Sequence, residues 1–250
     1  MPARTPLAER RFDFEAGELL LVDKPMGYTS FDVVNKIRYR LRRLTGRKKI
    51  KVGHSGTLDP MATGLLIVAT GKATKQLTEL TGLSKQYTGT IRFGESTPSY
   101  DAETDVDRRG PVEHLTKPLL EATVRERFTG SIEQVPPVYS AIKVDGKRAY
   151  KSARAGEAVE VPARRVEVPR FEITAWASPL ADFLVDCSKG TYIRSLAHDL
   201  GAAVGSRAHL VALRRTAIGE RRLDDAYALD ELTDYLDDLL VARGDDRPAY

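Results

Sequence analysis

Sulfur and histidine are scarce in this 250-residue chain, which has one cysteine (Cys187), three methionines and four histidines. A lone thiol excludes an internal disulfide and any zinc site built on several thiolates, and it fits a reducing compartment. A cytoplasmic protein is the expectation. Four scattered histidines argue against a metal enzyme, leaving only carboxylate-bound Mg²⁺ open. Long apolar runs are missing too. The central run Leu65–Ala69 is far short of the ~20 residues that a membrane span requires. The opening stretch MPARTPLAERRF carries charge without an apolar core, unlike a secretory leader.

What is present is ordinary in amount and uneven in placement. Hydrophobic residues make up 42% and charged residues 30%, a balance that excludes wholesale disorder. The length allows one large domain or two small ones. Net charge is only +4, yet nine Lys or Arg residues and no acid lie between Lys36 and Lys51. Nine acids and one base lie between Asp224 and Asp246. A basic block of that kind marks either a solvated helix face or a polyanion-binding surface.

Periodicity gives the elements. Glu18–Val22 reads as a buried strand ended by Pro25. Thr29 or Ser30 caps a helix with Phe31, Val34, Ile37, Leu41 and Leu44 inward, and Lys36, Arg40 and Arg43 on its outer face. Gly46 ends it. Leu65–Ala69 is a strand, followed by a short helix on Ala73, Leu77 and Leu80. Tyr87–Phe93 alternates as a half-buried strand, residues 95–114 read as a polar loop, and Leu120, Val124 and Phe128 mark a helix. Asp145-Gly146 predicts a hairpin in a second cationic patch holding Lys143, Lys147, Arg148, Lys151 and Arg154. A strand at Phe183–Cys187, a helix from about Tyr192 to Ala203, a strand at His209–Arg214 and an acidic helix at Ala226–Val241 complete the pass. The predicted class is α+β with a mixed, mostly antiparallel central sheet flanked by helices.

Chemistry concentrates in residues 53–64, Gly-His-Ser-Gly-Thr-Leu-Asp-Pro-Met-Ala-Thr-Gly. His54 and Asp59 are ionisable groups in a segment built for tight turns. Asp59 is read either as the cap of a turn begun by Pro60 or as a reacting carboxylate, and the residues alone leave both open. Three other chemistries fail. Ser55 lacks the nucleophile elbow of the hydrolases. The stretch around Thr70-Gly71-Lys72 lacks the first glycine and the Mg²⁺-binding hydroxyl of a phosphate loop. A zinc deaminase needs a cysteine pair.

That segment resembles the signature of the bacterial tRNA pseudouridine-55 synthases, as does Asp23-Lys24-Pro25-Met26-Gly27-Tyr28-Thr29-Ser30 upstream. Lys85-Gln86-Tyr87, Pro136–Lys143, Ser188-Lys189-Gly190-Thr191-Tyr192-Ile193-Arg194-Ser195 and Leu213-Arg214-Arg215 follow in the family's order, over residues 18–219. The resemblance implies the pseudouridine synthase fold and isomerisation of a T-loop uridine of tRNA, with no cofactor. It implies Asp59 as the catalytic carboxylate, Arg194 as its cation and Tyr87 as the ring that stacks on the flipped uracil. Leu213 is implied as the pocket floor, with His54, Lys24 and Tyr192 at the substrate. Lys36, Arg40, Arg43, Lys143, Lys147 and Arg148 are expected on phosphates, the last three from a thumb arm at about 130–165. Residues 1–17 are expected as an extension and 220–250 as an acidic tail with a short helix, too short for the C-terminal RNA-binding domain of many relatives. The expected partner is tRNA alone, with no membrane, no obligate protein partner and a monomeric state. A guide-RNA-dependent enzyme and a non-catalytic tRNA-folding protein are the alternatives. Retention of Asp59 disfavours the second.

Overall fold

A computed structural model of the chain describes residues 4–140, 142–144, 147–148 and 161–245. They form two compact units, Met1–Leu83 with Arg214–Tyr250, and Ser84–Leu213.

In the first unit, β1 (Leu19–Lys24) pairs antiparallel with β3 (Thr63–Thr70). The other edge of β3 is shared by β2 (Val52–His54), antiparallel, and by β13 (Ala208–Ile218), parallel through Arg214 and Arg215. Every residue of β3 from Gly64 onward is buried. Alternation then divides its side chains: Leu66 and Val68 join one core cluster, Leu65 and Ile67 another. Helix α1 (Ser30–Thr45) starts in a capping box, with the Thr29 side chain accepting from the Asp32 amide and the Asp32 carboxylate accepting from the Thr29 amide. Gly46 ends the helix in the left-handed region, at φ 67°.

Three expectations change here. Val33, Val34, Ile37, Leu41 and Leu44 are buried, but Phe31 is 58% exposed. At 100° per residue Phe31 sits roughly 110° from the centre of that stripe, so the helix turns it outward. Second, the acidic tail expected at 220–250 carries core residues among those described. Strand β14 (Arg221–Arg222) pairs antiparallel with β13, and β15 (Tyr227–Ala228) pairs parallel with β1. Helix α5 (Leu229–Val241) buries Leu229, Leu232, Leu236 and Leu240 in the same cluster as α1. The acids occupy its other positions, so composition concealed an amphipathic helix. Third, the N-terminal extension belongs to this core, where Leu7 and Phe14 are buried and Arg4 bonds Glu231 and the Ala226 carbonyl.

In the second unit the sheet order is β11–β12–β4–β13, with β11 at Arg170–Ala177, β12 at Leu180–Cys187 and β4 at Lys85–Phe93. Both β11 and β4 run antiparallel to β12. Lys85, Tyr87, Ile91 and Phe93 are buried and Gly89 is half-buried, which follows the predicted period of two. After α2 (Leu77–Gly82) of the first unit, helices α3 (Lys117–Arg127) and α4 (Ile193–Ala203) of the second lie where the periodicity put them. The expected loop 95–114 contains a short antiparallel pair, β5 (Glu95–Ser96) with β6 (Arg108–Arg109). Strands β7 (Gly130–Gln134) and β10 (Arg164–Val168) form another. The predicted hairpin is present as β8 (Lys143–Val144) paired with β9 (Lys147–Arg148). Its turn residues, with Lys151 and Arg154, lie outside the described residues. No helix among the described residues is long and apolar enough to cross a membrane.

Candidate active site

In the first unit, Asp59 lies on the connection between β2 and β3 and is half-buried. Its carbonyl accepts from the Ala62 amide at 3.1 Å, so the turn begun by Pro60 is real. That bond uses the backbone of Asp59. Two bonds from the upstream motif fix the residues on either side. The Leu58 amide donates to Ser30 Oγ at 2.8 Å, and the Gly27 amide donates to the Pro60 carbonyl at 2.8 Å. Glycine at 64 is required by geometry. Its φ is +101°, and an added Cβ would collide with the Arg215 carbonyl oxygen.

Lys24 is fully buried, its ammonium donating to the Tyr28 carbonyl at 2.6 Å and the Pro25 carbonyl at 2.9 Å. Burial pulls its pKa down to about 8, while the negative charge of Asp59 works in the opposite direction. Lys24 is thus a brace of the 25–28 turn and a positive charge toward Asp59, rather than an exposed contact. Arg215, also buried, donates from Nε to the Leu65 carbonyl at 2.7 Å and from Nη2 to the Gly56 carbonyl at 3.3 Å. Arg214 holds Asp23 through two bonds of 2.7 and 3.2 Å. His54 is half-buried, and burial lowers its pKa first and foremost, which keeps the imidazole neutral. Its Nδ1 is enclosed without a hydrogen-bond partner.

The cationic face of α1 needs correction. Arg40 grips Asp237 of α5 at 2.7 Å, and Arg43 grips Asp245 at 2.9 Å. Both guanidinium side chains are more than nine-tenths covered. Tertiary packing turned these two predicted phosphate contacts into internal ion pairs. Lys36 stays at the surface edge, its ammonium 5.3 Å from the centre of the Tyr28 ring.

In the second unit, Tyr87 sits on β4 with its ring nearly covered. Arg194 is the second residue of α4, where the helix dipole disfavours a cation, yet it is only 5% exposed. Its Nη1 donates to the Ser99 carbonyl at 3.0 Å and lies 3.3 Å from Asp101 Oδ2. Asp101 is fully buried and further held by Ser99 Oγ at 2.6 Å and the Glu103 amide at 3.0 Å. Sequence reasoning missed Asp101, which lay in a segment dismissed as polar loop. The Ser99-x-Asp101-x-Glu103-Thr104 pattern of a side-chain-closed turn was the available signal. Tyr192 exchanges two bonds with the Gln134 side chain and has the Arg164 guanidinium 4.6 Å from its ring centre. Leu213 is half-buried on β13. The side chains of Lys143, Lys147 and Arg148 lie outside the described residues. A further cluster lies on α4. His198 stacks on Tyr100 at 3.8 Å, and burial pushes the pKa of Asp199 up to about 6.

The chain is similar to known proteins over most of its length. Residues 42–193 match the TruB family pseudouridylate synthase N-terminal domain, and residues 194–242 match the tRNA pseudouridylate synthase B C-terminal domain. The tRNA pseudouridine synthase B of Parabacteroides distasonis is 50% identical over 229 residues, 92% of this chain and 97% of that one. The protein of the same name from Flavobacterium johnsoniae is 52% identical over 215 residues, 86% and 93% of the two chains. Among solved structures, a Cbf5–Nop10–Gar1 complex contains a similar chain with TM-score 0.66 and 28% identity. That match covers 94% of this chain and 60% of the other.

Proposed function

Because the chain belongs to the TruB family of pseudouridylate synthases, and is thus a tRNA-modifying isomerase, we propose that it converts the T-loop uridine at tRNA position 55 through Asp59. The N1–C1′ bond of the nucleotide breaks, the uracil turns, and a C5–C1′ bond forms, with the C5 proton lost and N1 protonated. Atoms balance without an external group. The observation that supports Asp59 most directly is its mounting. Backbone bonds fix both of its neighbours, and the buried ammonium of Lys24 opposes its charge. An opposite charge nearby favours the ionised form of a carboxylate. Asp59 acts as nucleophile or base at the sugar–base junction, and Arg194 is the cation of the reaction.

Tyr87 stacks on the uracil and moves a proton through its phenol. Leu213 offers apolar surface to the base. Neutral His54, with no charge to solvate, suits the space that the extruded base leaves. Extrusion costs a few kcal/mol, offset by phosphate contacts from Lys36 and the arm that carries Lys143, Lys147 and Arg148. The test is incubation of the purified protein with an unmodified tRNA transcript tritiated at uracil C5. Release of one tritium per tRNA, lost when only that uridine is replaced, supports the assignment. Release unaffected by the replacement refutes the position.

A further inference from the structure

Two large apolar side chains stand in water beside Asp59 without a role so far. Met26 is 65% exposed and Phe31 is 58% exposed. Isolated apolar residues are common on any surface and need no explanation. These two differ in how they are mounted. The residue after Met26, Gly27, bonds the carbonyl of Pro60, and the residue before Phe31, Ser30, bonds the backbone of Leu58. Pro60 and Leu58 are the neighbours of Asp59, so the turn that presents Met26 and the first helical turn that presents Phe31 are each tied to one side of it. The ammonium of Lys24 closes the Met26 turn from inside, and the capping box fixes the start of α1. Cations accompany both: Lys36 lies over Tyr28 in the same turn, and the Arg38 guanidinium is 5.8 Å from the Phe31 ring centre.

We propose that Met26 and Phe31 form a rigid apolar platform that receives the bases next to the extruded uridine and so positions the RNA loop over Asp59. Removing one base from a stacked loop exposes the faces of its neighbours. An apolar side chain and an aromatic ring, held rigidly with cations nearby, are suited to cover such faces. The inference rests on the reading of Asp59 as the reacting carboxylate of a tRNA isomerase. Both residues are positioning residues and do not touch the reacting atoms.

The experiment uses a T-arm stem-loop with 2-aminopurine next to the target uridine, compared for the full-length protein and the double variant Met26→Ala with Phe31→Ala. The wild type is expected to quench the fluorophore on binding. The double variant should lose that quenching and raise KM by about tenfold or more, from stacking worth ~1–3 kcal/mol per base, with kcat within a few-fold. Phe31→Trp should keep both quenching and KM. Since both side chains are exposed, the unfolding midpoint should not move. Unchanged KM and quenching in the double variant overturn the platform and leave the Asp59 assignment standing. A lowered midpoint also overturns it, because the side chains would then serve the fold. Absence of tritium release by the wild-type protein instead overturns the enzymatic reading, and the platform with it.

Discussion

Individual side chains carry the chemistry, and there substitution separates reaction from binding. Asp59→Asn keeps size and shape but removes the negative charge and the lone pair able to attack or accept a proton. Turnover is expected to vanish while tRNA affinity stays within a few-fold, as measured by tritium release against filter binding. Product formed by a clean preparation would remove Asp59 from the mechanism. Tyr87→Phe keeps the ring and loses the phenol, so it should bind RNA normally and react slowly, whereas Tyr87→Leu should lose in both. Equal, mild effects would reduce Tyr87, a covered ring on β4, to packing. Asp59 and Tyr87 are candidates that the motifs single out. Asp101 is not, because the Ser99–Thr104 pattern marks a closed turn but does not reveal that the carboxylate will be enclosed against Arg194.

Elements decide which charges are available. The seam between α1 and α5 buries Leu236 and Leu240 against the α1 stripe, and Arg40 with Asp237 lies at its edge. Asp237→Ala leaves a covered guanidinium without its partner and should cost about 2 kcal/mol, read by urea unfolding. RNA binding at fixed folded fraction should be unchanged; a large affinity loss would return Arg40 to the RNA surface. On α4, burial raises the Asp199 pKa from 3.8 to about 6. Between those values the folded state binds more protons than the unfolded one, so this residue makes stability fall as pH rises through that window. Asp199→Asn should therefore raise the melting temperature at neutral pH, with the gain disappearing below about pH 4. A gain that persists in acid would show that the charge was not the cause.

Over the whole molecule, the predicted set of phosphate contacts shrinks from six residues to four, Lys36, Lys143, Lys147 and Arg148, once Arg40 and Arg43 are paired with acids. The log–log dependence of RNA affinity on salt should then have a slope near −3, using ~0.7 per phosphate, where six contacts would give about −4. A steeper slope in a salt titration would restore the two arginines. Sequence alone determined the strands β1, β3, β4, β12 and β13, the main helices, the ends of α1 and the order of the motifs. Each of these depends on neighbours within a few residues: the period-two pattern of β4, the Thr29–Asp32 box, the glycine that ends α1. It also singled out Asp59 as the candidate for the chemistry, since a motif is a local pattern. Tertiary structure decided which faces meet. A leucine repeat and an acidic composition coexist in residues 229–241, and only packing against α1 shows the segment to be core and its acids to be partners. Phe31 turned outward for the same reason: periodicity gives a stripe, but the contact with the rest of the unit sets where the stripe begins. Burial of a charge is set by residues far away in sequence, and Arg194 with Asp101, 93 positions apart, meet only in the folded chain.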